Sequence, residues 1–429
     1  MMRIRAATIA SIAAIVMMLA ACEGGDEPPE PSPTPVEAEP GAVAMVAEDP
    51  RGVAVTPAVA VDPGGEVVYV AWTAPTERGT ATFLTISRDG GSTFGPPRKI
   101  GGWTDMWPIL AVADDGTLFL MWTHWDPKRL IDPASEYSNP AWQLLQRSED
   151  QGRTFTDPVV VPDDGLSTET FYAALAVSPD ASDVMVTWFD YSRIEGFGDG
   201  TDARREAVHM QSSISHDGGR SFGPVQDVTA ATCVCCTPTA FFLGARTGIV
   251  YRGWIKGGAE GDVRDPMAVM GSDGDAWRPP VTVHRDDFRL RACPHMGLGA
   301  AVAGEGALYV DWWTGAEGRA GYWFARSEDG EVFTEPMQLA PLSIDPHGND
   351  LSIAIDPFGT PWFTGVTFPG GRGSGSVVTV WSAPSDEVTE LSEAEIPGSL
   401  PRITGTNDGV LVVWVDRTKI MSRRITVTA

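Results

Sequence analysis

The sequence predicts an all-β fold, a β-propeller built from four-stranded antiparallel blades. Three observations carry this expectation. A short turn motif recurs as Ser87-Arg-Asp89-Gly-Gly91-Ser-Thr93-Phe94, Ser148-Glu-Asp150-Gln-Gly152-Arg-Thr154-Phe155 and Ser215-His-Asp217-Gly-Gly219-Arg-Ser221-Phe222, with shortened forms at Ser327-Glu-Asp329-Gly-Glu-Val-Phe333 and Ser272 to Trp277. Apolar runs pair with second runs that end at Trp72, Trp122, Trp188, Trp254, Trp312, Val366 and Trp414. First strands start near residues 56, 107, 171, 237, 297, 350 and 400, a spacing that suits a radial array of small antiparallel sheets.

From the N-terminus, residues 1–22 read as a targeting segment. Arg3 and Arg5 precede an apolar run from Ala6 to Met18, too short for a comfortable membrane span, and Leu19-Ala-Ala-Cys22 follows. This resembles a bacterial lipobox. The expectation is cleavage before Cys22, lipid on its sulfur, and a protein outside the cytoplasm anchored to the cell membrane. Residues 23–41 are rich in Pro and Glu and poor in apolar side chains, so they read as a disordered acidic tether. Residues 42–429 read as one propeller domain. Its seventh unit is short, and Ala42-Val-Ala-Met-Val46 is the expected outer strand that closes the ring and removes a free edge.

Each recurring turn should be a rigid hairpin. The Asp carboxylate accepts hydrogen bonds from the turn's own N–H groups, Gly supplies positive φ, and the closing aromatic packs back into the sheet. If these turns join the third and fourth strands of a blade, strand alternation puts the first-to-second turns, such as Asp62 to Gly65, on the same face. The second-to-third loops and the links between blades then share the opposite face. That face gathers Trp103-Thr-Asp105-Met-Trp107, His124-Trp125, Glu169 to Tyr172, Cys233-Val-Cys235-Cys236, Arg291-Ala-Cys293-Pro-His295-Met296 and His347 to Asp350. It is the expected functional face.

The repeated turn resembles the Asp box, or BNR repeat, of the sialidase superfamily, from about Val43 to the end of the chain. Seven blades are expected, with six, the number in sialidases, as the alternative. Enzymes of that family hold a substrate carboxylate with three Arg and use a Tyr nucleophile, a Glu that assists it and an Asp acid/base. Their Arg-Ile-Pro motif is absent here, where the chain reads Gly52-Val-Ala-Val-Thr-Pro57. Arg252, Arg264, Arg291 and Arg402, with His124, Trp125 and His347, are the candidate ligand-binding residues. Tyr172 or Tyr191, Glu169 and Asp105 are the candidates for catalytic roles, though none lies in a family motif. The missing Arg motif favours a propeller that binds a glycan or protein ligand without sialidase chemistry. An exo-alpha-sialidase is the alternative.

Four cysteines remain after Cys22. In an exported chain disulfides are the expected state, with Cys235 or Cys236 joined to Cys293. The second alternative is a copper or zinc site from Cys233, Cys235, Cys236 and Cys293 with His295 and Met296, because soft metals take sulfur and imidazole ligands. The cysteine segments are similar to those of bacterial sialidase-like proteins that carry Cys-Pro-Cys-Cys before one blade and Cys-Pro before the next; here Val234 replaces the first Pro. No cofactor is expected beyond that alternative. The formal charge of -26 excludes nucleic acid as a natural partner. The expected partners are a lipid bilayer and one glycan or protein ligand, with the chain a monomer.

Overall fold

The computed structural model describes residues 37–49, 52, 57–102, 105–125, 141–161, 170–190, 208–230, 232–257, 260–271, 276–292, 294–304, 306–341, 351–368, 376–383, 389–390 and 396–428. Expectations for Cys22, Glu169, Tyr191, Cys293, His347 and the tether up to residue 36 lie outside them.

Every strand pairing is antiparallel, and seven sheets follow one another along the chain as blades of a propeller. The inner strands are Ala58–Val61, Asp105–Val112, Thr170–Val177, Thr239–Leu243, Leu298–Val302, Ser352–Ile355 and Ser399–Thr406. Each touches the inner strand of the next blade, and the last touches the first, so the ring is closed. One apolar cluster fills each of the seven blade interfaces. The cause is strand alternation. In Val68–Thr76, Val68, Val70 and Trp72 face blade 7, whereas Tyr69 and Ala71 face blade 2. Trp72, Trp122, Trp188, Trp312 and Trp414 are all buried.

The N-terminal strand closes the ring. Glu37–Glu48 pairs with Lys419–Thr428 and completes blade 7, from Glu37 opposite Thr428 to Glu48 opposite Lys419. It includes the expected Ala42–Val46 but starts earlier, so Glu37 to Gly41 belong to the sheet rather than to a tether. Composition misplaced this boundary for a physical reason. An outermost strand has one paired edge and one wet face, so it tolerates Glu37, Glu39 and Pro40, and the ladder is interrupted between Pro40 and Val43.

The recurring turns join third and fourth strands. In the third copy the Ser215 hydroxyl accepts the Gly219 N–H (2.8 Å) and donates to Asp217 (2.7 Å), whose carboxylate accepts the Arg220 and Ser221 N–H groups (both 2.9 Å). Ser87/Asp89 and Ser148/Asp150 repeat this pattern, and Ser327/Asp329 makes a shortened form of it. Gly219 has φ 76°, where a Cβ would also lie 3.0 Å from Leu145. Phe94, Phe155, Phe222 and Phe333 pack against the interface clusters. Arg424 donates to the carbonyls of both Gly65 and Gly90, which places a first-to-second turn and an Asp-box turn on one face. Arginines also bridge successive turns: Arg98 to Gly152 O (2.9 Å) and Arg147 to Gly218 O (2.9 Å).

Candidate functional site

The opposite face holds the starts of the inner strands, and three of them are irregular in the same way. Register shifts fall between Met106 and Ile109, between Phe171 and Ala174, and between Ser399 and Arg402. Inside each shift one non-glycine residue has positive φ: Trp107 (53°), Tyr172 (50°) and Leu400 (53°). A bulge re-aims its side chain, and this conformation is unfavourable for residues with a Cβ. All three residues line the mouth of the central channel, a cavity of about 500 Å³. Trp107 and Tyr172 stack with ring centroids 5.7 Å apart and planes 25° from parallel. The remaining wall is mostly apolar, and Thr237, Thr239, Ser352 and Arg402 supply polar groups.

The sequence-derived residues separate here into three groups. Arg402 lines the cavity. Arg291 is exposed, but it does not line that cavity. Arg252 and Arg264 are interior, 0% and 1% exposed, which corrects their assignment as ligand-binding groups. Arg252 donates to three backbone carbonyls, those of Met296 (2.9 Å), Arg264 (2.8 Å) and Trp313 (2.7 Å), and so ties blade 4 to blade 5. Arg264 lies over the Trp254 ring and 3.4 Å from Asp262. The short ladder between Asp262–Val263 and Arg289–Leu290 folds this loop inward.

Asp105 is likewise corrected. Its carboxyl is fully buried, accepts the Gly102 N–H and binds His124 Nδ1 at 2.6 Å. It orients His124, which stacks on Trp142. His124 and Trp125 are half-buried at the end of their strand. Burial raises the Tyr172 pKa, as do Cys236 and Cys233 beside it, which opposes ionisation of this candidate nucleophile.

The cysteine turn stands against Tyr172. Cys233 and Cys236 are buried free thiols with sulfurs 2.9 Å apart, and Cys235 Sγ is 3.9 Å from Cys233 Sγ. All three sulfurs lie within 4.8 Å of one another. Because Cys236 is a free thiol, only Cys235 remains of the two alternatives for a bond to Cys293. The hydrogen bond with Cys236 lowers the Cys233 pKa to about 7, helped by the charges of Arg264 and Arg252, and burial raises that of Cys236. Met296 is not positioned as a ligand, because its side chain packs in the cluster between blades 5 and 6. His295 is exposed with φ 55°.

Sequence reasoning missed Asp311. It is fully buried in the second strand of blade 5, where Oδ1 accepts the Gly299 N–H at 2.7 Å. Gly299 makes room for it, since a Cβ there would meet Oδ1 at 2.2 Å. Burial raises its pKa to about 7, against the pull of the Gly299 N–H and Arg402. The signal in the sequence was an Asp inside the apolar run Leu308-Tyr-Val-Asp311-Trp-Trp313.

No protein-family model matches the sequence, and no curated protein matches it. Solved structures do. A protein of unknown function from Dyadobacter fermentans matches with TM-score 0.51 and 14% identity over 91% of this chain and 99% of that one. An alpha-L-arabinanase of Penicillium chrysogenum matches with TM-score 0.51 and 15% identity over 83% and 99%. The Hadza microbial sialidase Hz136 matches with TM-score 0.48 and 13% identity over 82% and 74%. At these identities the likeness is one of fold, and that fold is the β-propeller.

Proposed function

We propose that this chain is a lipid-tethered, extracytoplasmic propeller that binds an acidic glycan at the channel mouth and does not perform sialidase hydrolysis. One observation carries the reading. Of the four candidate arginines only Arg402 lines the cavity, while Arg252 and Arg264 are locked inside the protein. A three-arginine clamp for a carboxylate is not assembled among the described residues. What the mouth offers is a stacked Trp107–Tyr172 surface for the apolar face of a sugar ring and one guanidinium for an acidic group. The raised Tyr172 pKa supports binding over nucleophilic chemistry.

The tether rests on the sequence ending at Cys22, and Cys22→Ser should free the protein from membranes. The pairing of Cys235 with Cys293 is part of the same proposal. Cys235 is engaged in a disulfide while Cys233 and Cys236 are free, and non-reducing peptide mapping identifies its partner.

The test of function uses the full chain in detergent. N-acetylneuraminic acid and glucuronic acid should change tryptophan fluorescence on titration, arabinobiose should bind more weakly, and Arg402→Ala should weaken acid binding about tenfold or more, the cost of one charged hydrogen bond. A fluorogenic sialoside should release no fluorophore. Release that is lost in Tyr172→Phe would replace this reading with a glycosidase.

A further inference from the structure

We propose that Cys233, Cys235 and Cys236 form a copper(I) site in the reduced protein. The site lies beside the channel and does not depend on what the channel binds. Its first basis is geometry. Metal–sulfur bonds of about 2.3 Å in a trigonal plane hold sulfurs roughly 4 Å apart. The Cys233–Cys235 separation is 3.9 Å, and all three sulfurs fall within 4.8 Å. The Cys233–Cys236 distance of 2.9 Å opens by about 1 Å to meet the same spacing. The backbone is suited to the set, since the Cys236 N–H closes a turn onto the Cys233 carbonyl. That turn directs side chains three residues apart to one point.

The second basis is charge. Arg252 is wholly buried, and its three hydrogen bonds end on neutral carbonyl oxygens. No carboxylate lies within ion-pair distance of it among the described residues, and buried Asp265 acts on its charge only from farther away. A buried cation is costly unless an anion compensates it. The Cys233 N–H donates to the Arg252 carbonyl, so the thiols and the guanidinium belong to adjacent backbone. Three thiolates around a monovalent cation carry a net charge of −2, and Arg252 and Arg264 supply the opposing positive field.

The donor set decides the metal. The described residues offer three sulfurs and no imidazole or carboxylate at this point. The three described sulfurs fall one short of the four protein ligands of a structural zinc site; the thiol released from the former partner of Cys235 would complete such a set, so competition with zinc is part of the test. Cys233 and Cys236 are 1% and 0% exposed, so the site is shielded from bulk water on their side. Soft thiolates with low coordination number select copper(I). Cys235 is half-buried and supplies the way in. Its disulfide must first be reduced. A dithiol gives two electrons and two protons, becomes a disulfide itself, and leaves Cys235 and its former partner as thiols. Copper(I) then displaces three protons as three Cu–S bonds form.

The test uses the full chain, reduced under nitrogen with excess dithiol, desalted, and titrated with copper(I) against bathocuproine disulfonate. One copper per chain should be retained. Cys233→Ser, Cys235→Ser and Cys236→Ser should each weaken retention by more than the 10–100-fold typical of losing an outer-shell partner. Thiol alkylation followed by mass spectrometry provides a readout that needs no variant: copper(I) should protect all three cysteines together. Loss of copper to the chelator, unchanged affinity in Cys235→Ser, Cys235 still oxidised after dithiol treatment, or zinc held in place of copper would each overturn the proposal.

Discussion

Which atom of the Asp box stabilises the fold is decided by comparing Ser215→Ala with Asp217→Ala. The Gly219 N–H is buried, and its acceptor is the Ser215 hydroxyl at 2.8 Å. Removing that oxygen strands a buried donor, which costs about 1–3 kcal/mol. Asp217 accepts from Arg220 and Ser221, and both of those bonds are exposed, so water replaces the carboxylate when it is removed. Asp217→Ala should therefore cost less than Ser215→Ala, although Asp217 is the more recognisable residue of the motif. Unfolding entropy of about 2.1 cal/mol/K per residue over roughly 400 residues converts 2 kcal/mol into a fall in Tm of about 2–3 °C. Urea unfolding followed by tryptophan fluorescence, with calorimetry beside it, reads both variants. If Ser215→Ala leaves stability unchanged while Asp217→Ala lowers it by more than 2 kcal/mol, the carboxylate rather than the hydroxyl holds the turn and this reasoning is wrong.

The Asp89 pKa is lowered from 3.8 to about 2, chiefly by the Thr93 hydroxyl and N–H. A depressed folded pKa gives stability that is present above pH 3.8 and lost as pH falls toward 2, so Asp89→Asn should flatten the acid limb of a stability–pH curve in that window. For Asp311 the sign reverses. Its pKa is raised from 3.8 to about 7 by burial, so the folded state holds the proton more tightly and stability declines as pH rises from 3.8 to 7. Between pH 5 and pH 8 that decline amounts to about 3 kcal/mol. In Asp311→Asn, which keeps an acceptor for Gly299, urea midpoints at those two pH values should move closer together, and an unchanged gap would count against the assignment. Arg252→Leu removes donors from three buried carbonyls and should cost more than about 3 kcal/mol, whereas a near-neutral urea midpoint would show that the guanidinium is dispensable.

The ring was legible because it is periodic. Alternating apolar residues, turn glycines and, in most units, a Trp at the end of the second strand recur often enough to favour seven units over six, and Ala42–Val46 was the apolar run expected to close them. The fate of Arg252 was also written in the sequence, through period two. Ile249 and Tyr251 face blade 3 and Val250 faces blade 5, so Arg252 follows Val250 into the interface with blade 5. Ending that strand at Trp254 hid the alternation; it stops at Arg252. The bulges at Trp107, Tyr172 and Leu400 had weaker signals. Trp107 and Leu400 precede prolines, but Tyr172 precedes Ala173, and a register slip depends on a partner strand that local sequence does not specify.

The two faces differ in how they stabilise themselves, and the difference bears on function. The Asp-box face uses local hydrogen bonds, a buried one to the Ser hydroxyl and exposed ones to the Asp carboxylate, repeated with small changes. The opposite face buries the guanidiniums of Arg252 and Arg264, the carboxyl of Asp105 and the thiols of Cys233 and Cys236. A site built without these groups need be no less stable, because well-packed apolar residues of similar volume serve as well as buried ions, even though removing Arg252 alone strands the three carbonyls it holds. Nor do the strained Trp107, Tyr172 and Leu400 conformations help the sheet they interrupt. Features unfavourable for folding gather where blades 2, 3, 4, 5 and 7 meet the channel, and Tyr172 lines the cavity and interacts electrostatically with Cys236 and Cys233. The two proposals together therefore predict that a change in the charge of Cys233 and Cys236 acts on the Tyr172 ring. Copper(I) loading of the reduced chain should shift its affinity for N-acetylneuraminic acid, and an affinity indifferent to copper would separate the two sites.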